Sequence, residues 1–323
     1  MASTQPAENS QSTGAASSTA TTESSSFNRL QNWFPILLIA PSLVIIGMVI
    51  LYPMVYSLYV SFTPFHLLRP EQTFVFKTET MFRNYVKLAG DRVFWKSMLN
   101  TIIFLTVTVN LSFLISLALS QLMARVTRGQ SIMRTLLMIP MMFAPVLVGF
   151  QFAWFFNATV GLVNNALMSL GLISTPKAWL VDRPTGMMAI MVATIWMNVP
   201  MMTIILLAGT LSLPRDVYEA AQVDGASAWQ KFQHITFPLL RPFTLIALTV
   251  LSLDVARAYD VVRIMTGGGP AHRTEMIWTN AGRLAIRNSQ FGLASAMSMV
   301  GVVLGVFFTL YLFKQLIKSR VVY

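Results

Sequence analysis

The stretch YEAAQVDGASAWQKFQHITFPLLRP, Tyr218–Pro242, lies between two long apolar runs yet carries Glu219, Asp224, Lys231, His234 and Arg241. Ser212 suits a helix N-cap, and Pro214 suits the first turn after it. Asp216 and Glu219 then favour the positive end of that helix's dipole. Gly225 tolerates the left-handed backbone that stops a helix, so a first helix is expected over Pro214–Val223. A second is expected over Ser227–Ile235, with Pro238 and Pro242 restraining its exit. The spacing predicts a helix–turn–helix hinged on Asp224 and Gly225. Ala220 and Ala221 give it a small-residue face that another protein can approach closely. On these residues alone, an amphipathic connector lying on a membrane surface competes with a docking element.

The surroundings of this stretch set the fold class. Of 323 residues, 55% are hydrophobic and 11% charged, against about 25% charged in a soluble domain. Charge-free runs of about 20 apolar residues each suffice to cross a bilayer as a helix. They are too long and continuous for the strands of a membrane barrel. The windows predict six transmembrane helices: span 1 over 34–62, span 2 within 96–125, span 3 over 135–156, span 4 within 183–215, span 5 over 242–265 and span 6 within 287–314. The expected fold is therefore an all-α integral membrane protein. The 21 Met and 22 Phe suit a pliable, lipid-facing bundle. Residues 1–28 form an expected disordered tail, and 29–323 the membrane domain. The tail lacks the basic start of a signal peptide, and the apolar run after Arg29 is long enough to stay as an anchor.

Charge and cysteine content exclude several functions. The net charge of +11 is scattered through connecting loops, with no nucleic-acid-binding motif. Flanking charges on membrane spans account for it. With no Cys there are no disulfides and no thiol chemistry. His66, His234 and His272 lie far apart, so no metal site is expected. Six crossings place both termini, 125–134 and 212–241 on one side, and 63–96, 157–183 and 266–290 on the other. Lys and Arg number ten on the first side and eleven on the second. The tight Arg125, Arg128, Arg134 turn and the Lys314, Lys318, Arg320 end favour the first side as cytoplasmic.

Glu219-Ala220-Ala221, Gly225 and Ile235-Thr236-Phe237-Pro238 together resemble the E-A-A…G…I/L-x-L-P signature of the membrane subunit of binding-protein-dependent ABC importers, in the maltose-transporter-like sugar branch. Phe237 stands where that signature has Leu. MTGGGPAHRTE, Met265–Glu275, resembles the branch's segment after the fifth span, and FGLASAMS, Phe291–Ser298, the start of its last span. The resemblance covers residues 30–320. It implies an ABC importer type I permease fold, with a cytoplasmic coupling helix between spans 4 and 5. Glu219, Ala220, Ala221, Asp224, Gly225 and Pro238 would contact the ATPase. It also implies a bacterial cytoplasmic (inner) membrane location with both termini cytoplasmic. Further partners would be two ATPase subunits on 212–241, a second and different permease subunit, and an extracytoplasmic solute-binding protein. The transported solute would be a sugar or sugar-like molecule, or another small solute of the same importer class. This chain has no GxxxxGK[ST], so ATP and Mg would be bound by the partner subunits and no cofactor by this chain.

Polar groups within the spans are the candidate solute path. Asp254, Arg257, Asp260 and Arg263 follow one another at intervals of three, which makes opposite charges neighbours on a helix. Ionisable groups at membrane depth face protein or a water-filled cavity. Asp254 and Arg257 suit a path lining and a structural ladder equally; Asp260 and Arg263 suit the ladder. Asn110, Gln151, Trp154, Trp196, Asn198 and Tyr259 offer the amides and rings that suit sugar hydroxyls and ring faces, although each also suits a helix–helix contact. Pro140 and Pro145 should disturb span 3, and Pro200 span 4. Met138, Met141 and Met142 are expected as flexible packing. An intramembrane protease is disfavoured by the absence of GxSG and YD…GxGD patterns. An ion-coupled carrier has no need of the 218–242 pattern.

Overall fold

A computed structural model describes residues 38–69 and 81–320, with the side chains at 309, 312, 313 and 315–320 left out. The expected tail, the first residues of span 1 and 70–80 of the 63–96 loop lie outside the described residues. Most of the described residues are helical, and none of them lies in a strand. By contacts the chain divides into two units, Met1–Tyr56 and Ser57–Tyr323. In the first, residues 38–56 are helical, and none of them is buried. They begin α1, Leu38–Ser61, an apolar helix of 24 residues.

The second unit is built on two long helices, α3 (Arg92–Ala124) and α7 (Arg183–Leu211). Asp91 starts α3 by accepting the Val93 N–H at 2.8 Å, a side-chain N-cap. Thr108, Ser112, Ser116 and Ser120 recur every fourth residue and are all buried. This one face of α3 meets α7, the most extensive helix pairing in the fold. Lipid tails are as apolar as leucine, so helices in a bilayer associate through close packing of small residues. The Ser116 hydroxyl donates to the Val199 carbonyl at 3.1 Å, and Gln121 Nε2 to Thr210 Oγ1 at 2.9 Å.

Six crossings are reached only by counting bent helices. Four helices are long and apolar enough to cross a membrane: Leu38–Ser61, Arg92–Ala124, Arg183–Leu211 and Phe291–Phe308. The last belongs to α13 (Phe291–Arg320). Two further candidates are broken pairs. Span 3 divides into α4 (Gln130–Met142) and α5 (Pro145–Phe155), bent by 90°. Proline disfavours the helical region for the residue before it, and Ala144 is extended at φ −63°, ψ 139°. Pro140 remains within a helical turn, so Pro145 sets the break. Met138, Met141 and Met142 are exposed at this elbow and do not fill the core. Pro200 does not interrupt span 4: α7 runs through it from Arg183 to Leu211.

Span 5 also departs from expectation. Its helix α10 covers Arg241–Ala256, about 24 Å at 1.5 Å per residue, short of a bilayer core of roughly 30 Å. The chain leaves the helical path at Arg257 and resumes as α11, Asp260–Met265. The charge ladder therefore does not exist as a helical row. Asp254 and Arg257 approach to 3.4 Å, while no ion pair joins Asp260 to Arg263 among the described residues. At the N-terminal end of α10 it is joined to α9 (Ala228–Leu239) through a 64° bend.

Gly209 marks a close approach of α7 to α10. A Cβ there would lie 2.5 Å from the Phe243 ring. Gly209→Val is expected to destabilise the fold by about 1–3 kcal/mol through overpacking. The thermal unfolding midpoint of the purified chain measures it, and an unchanged midpoint would show that the crossing can relax.

At one end of the bundle several loops interlock. Asn100 Nδ2 donates to the Arg273 and Glu275 carbonyls at 3.1 and 2.9 Å, and Arg183 Nε donates to Asn100 Oδ1 at 3.1 Å. Arg273 pairs with Asp182 at 2.6 Å, and the Asp182 side chain makes no cap bond to α7. The stretch 218–242 belongs to the other end, where α7 finishes.

Candidate functional site

Local rules account for the hairpin with one correction. Ser212 is not the N-cap of the first helix. It closes α7 instead, donating its hydroxyl to the Gly209 carbonyl at 2.8 Å. Pro214 takes the cap position, with extended backbone and no side-chain bond, and α8 covers Arg215–Val223. The reason is competition: a Ser hydroxyl at a helix C-terminus finds a free carbonyl in its own last turn. Asp216 lies in the first turn of α8, as the dipole favours.

The turn after α8 is a paired backbone stop. The Gly225 N–H donates to Gln222 O at 3.1 Å, and the Ala226 N–H to Ala221 O at 2.9 Å. This is the Schellman arrangement, which requires a left-handed residue, and Gly225 has φ +75°. Ser227 and Gln230 then form a capping box that starts α9. Tyr218 Oη and Thr236 Oγ1 lie 2.8 Å apart and join the two arms. Leu213 and Phe232 pack on the main core, and Leu240 is part of it.

Among the described residues nothing covers the outward surface of the hairpin. No residue of α8 is buried. Glu219, Ala220, Asp224, Gly225 and Pro238 are exposed, and Ala221 is half-buried. Val217 is exposed beside them, as are Val223 (88%) and Trp229 (68%). Trp229 is stacked on Phe232 at 5.6 Å, which fixes its ring. A hairpin so closely bonded internally presents a preformed surface with acidic, small and apolar residues in one place.

The path candidates separate into four groups. Asn198 and Asp254 line one small cleft of about 20 Å³ between α7 and α10. Arg257 and Tyr259 line a cavity of about 360 Å³ with Trp278, at the break between α10 and α11. Trp278 Nε1 donates to the Ala256 carbonyl at 2.7 Å and so closes the broken end of α10. Trp196 lies tilted against Phe152 and Phe143, with centroids 5.6 and 6.2 Å away, at the elbow of span 3. Asn110, Gln151 and Trp154 are exposed, and the structure does not bring them to either cavity. Asn110 and Asn198 each bond a carbonyl one turn back, at 2.8 and 3.0 Å.

The sequence reading missed a buried charge cluster in Met265–Glu275. Glu275 is only 2% exposed, and its Oε2 lies 2.8 Å from His272 Nδ1 and 3.3 Å from Arg283 Nε. The Arg283 approach is ionic and not an aligned hydrogen bond, since Nε has no hydrogen-bond acceptor. Arg283 also donates to Asn280 Oδ1. Gly268, at φ +81°, sits against the carboxylate so closely that a Cβ would lie 2.7 Å from Glu275 Oε1. The signal was present as His-x-x-Glu just after the triple glycine 267–269, but Arg283 lies eight residues further on. Among the described residues no group of three His, Cys, Asp or Glu could hold a metal ion.

A family model described as the binding-protein-dependent transport system inner membrane component matches residues 112–322. The chain belongs to this family. The permease is 32% identical over 281 residues to the trehalose/maltose transport system permease protein MalF of Thermococcus litoralis, covering 86% of this chain and 92% of that one. It is 32% identical over 266 residues to the sulfoquinovosyl glycerol transport system permease protein SmoG of Agrobacterium fabrum, covering 82% and 84%. Its fold matches a permease chain of a bacterial alginate ABC transporter, solved with an alginate pentasaccharide-bound periplasmic protein. The TM-score is 0.73 at 20% identity, over 88% of this chain and 95% of that one. The permease is thus a multi-pass inner-membrane transport subunit with the ABC importer permease fold, and ATP hydrolysis belongs to a separate subunit.

Proposed function

We propose that the permease forms half of the translocation path of an ATP-driven importer for a sugar or sugar-like solute, with residues 212–241 as the docking hairpin for the ATPase. The observation that carries this reading is the hairpin itself: rigid by its Schellman turn, capping box and Tyr218–Thr236 bond, and outwardly bare. Rigidity matters because a coupling element must transmit displacement without absorbing it. Glu219 supplies the polar contact, Ala220 and Ala221 the close approach, and Asp224, Gly225 and Pro238 the shape. The hairpin side is cytoplasmic, and both termini share it. Residues 1–28 are a tail and 29–323 the membrane domain, with 63–96 extracytoplasmic. A second, different permease subunit completes the path, two ATPase subunits bind the ATP and Mg, and an extracytoplasmic binding protein delivers the solute. The membrane is a bacterial inner membrane.

The two relatives named above support the solute class, since one is named for trehalose and maltose and the other for sulfoquinovosyl glycerol. Asp254 and Asn198 share one cleft, and Arg257 and Tyr259 share another; we assign these to the path ahead of Trp196, Asn110, Gln151 and Trp154. The experiment is uptake of a labelled sugar panel by vesicles holding the assembled importer, with pull-down of the ATPase on the tagged permease. ATP-dependent uptake of one carbohydrate with a co-purified ATPase is expected; uptake without an ATPase would overturn the reading. Asp254→Ala is expected to raise the uptake KM about tenfold, the loss of one hydrogen bond to a charged group at about 1.5 kcal/mol. An unchanged KM removes Asp254 from the path.

A further inference from the structure

A polar cavity of about 310 Å³, sharing no lining residue with either cleft above, opens beyond the last turn of α1. Its walls include His66, Arg69, Arg83, Asn84, Lys87 and Gln290. Three are permanent cations, and no carboxylate lines the cavity among the described residues. Arg83 and Lys87 lie one turn apart on the short helix Arg83–Ala89 and are exposed, with no ion pair among the described residues.

The site is built and not a chance gathering of loops. Asn84 Nδ2 donates to the Ser61 and Thr63 carbonyls, both at 2.8 Å, fixing the short helix to the end of α1. Tyr85 Oη lies 2.8 Å from Ser61 Oγ. The Gly292 N–H donates to Phe65 O at 2.9 Å, and the Leu67 N–H to Ser289 O at 3.0 Å. Gly292 is required there, because a Cβ would lie 2.2 Å from the Thr63 carbonyl. The Leu68 N–H donates to His66 Nδ1 at 3.3 Å, so the other ring nitrogen carries the hydrogen and is a donor.

Four exposed apolar side chains neighbour the lining residues in sequence: Leu67 and Leu68 between His66 and Arg69, and Phe82 and Val86 beside Arg83 and Lys87. A free anion or a soluble acidic partner gains nothing from them. A phospholipid uses both, setting its phosphate among the cations and the root of its acyl chains on the exposed apolar residues next to them in the chain. The cavity also lies where α1, an apolar membrane-crossing helix, ends. From this combination we infer that the cavity is a binding site for the headgroup phosphate of an anionic phospholipid, held by Arg83, Lys87 and the His66 ring N–H.

The test is native mass spectrometry of the full chain in mixed micelles containing phosphatidylglycerol, phosphatidylethanolamine or phosphatidylcholine in turn. Retention of phosphatidylglycerol over phosphatidylcholine is expected. R83Q/K87Q should lower it at least about tenfold, since each cation near an anionic lipid surface is worth about fivefold in binding. R83K/K87R should retain it, which separates loss of charge from loss of fold. Inorganic phosphate at millimolar concentration should not displace the lipid; if phosphate binds alone, or displaces it, the lipid source is wrong. Equal retention in wild type and R83Q/K87Q overturns the site.

Discussion

Gly225→Pro is expected to abolish transport, by a factor of about 100 or more, while leaving the amount of permease in the membrane unchanged. Proline fixes φ near −65° and has no N–H. Gly225 has φ +75°, and its N–H holds the Gln222 carbonyl. Proline also disfavours helical backbone at the residue before it, and Asp224 is helical at φ −71°, ψ 0°. The Schellman turn is lost by three independent routes, at a cost of about 3 kcal/mol or more. The cost falls on the hairpin alone, because α8 buries no residue and a Cβ at Gly225 would meet nothing within 4 Å. Smaller changes grade the effect. Alanine at 225 costs about 1–2 kcal/mol for left-handed backbone, so partial uptake is expected. Asparagine tolerates that conformation and should transport nearly as wild type. Glu219→Lys reverses the charge of the same surface without touching the turn, and should lose ATPase pull-down together with uptake. Vesicle uptake and quantitative immunoblotting measure all four. Wild-type uptake by Gly225→Pro and Glu219→Lys would remove the hairpin from the coupling role.

Glu275→Ala should instead remove folded protein. The carboxylate is the counter-charge for Arg283 and the partner of His272, and almost none of it reaches solvent. Deleting one member of a buried pair leaves the other uncompensated, typically costing 3–5 kcal/mol. Arg283 keeps its Asn280 bond and is 19% exposed, so about 3 kcal/mol is the expected loss. That is a large share of a native stability of roughly 5–15 kcal/mol. Heated samples passed through fluorescence-detected gel filtration should show a midpoint several degrees lower. Glu275→Ala/Arg283→Leu should lose less than the sum of the two single changes, since neither charge is then stranded. Additive losses would show that the pair contributes nothing as a pair. The cluster matters beyond stability. The Glu275 carbonyl is also held by Asn100, so the loop after α11 ties the starts of α3 and α7 together.

The hairpin shows how far local rules reach. Gly225 as the stop, the Ser227 start and the acidic first turn of α8 were legible because each depends on atoms within four residues. Ser212 was misassigned by the same rules, since two nearby helix ends competed for one hydroxyl and α7 took it. The break in span 3 followed from Pro145, whose effect on Ala144 is local. Its 90° angle did not, because the direction of each arm is set by what α4 and α5 pack against. The charge row in span 5 fails for a related reason. A spacing of three makes neighbours only while the helix continues, and it ends at Ala256 where Trp278, distant in sequence, takes that carbonyl.

By itself the sequence determined the all-helical membrane class, the position of the hairpin and its stop at Gly225, and through its motifs the transport family. These depend on composition, on runs long enough to cross a bilayer, and on bonds closed within a turn or two. Only the tertiary structure decided which polar residues meet. It put Asn198 with Asp254, Arg257 with Tyr259 and Trp278, Glu275 with His272 and Arg283, and the His66, Arg83 and Lys87 side chains around one cavity. Most of these partners belong to different helices or loops, and the small-residue packing that brings the helices together has no period that names the partner.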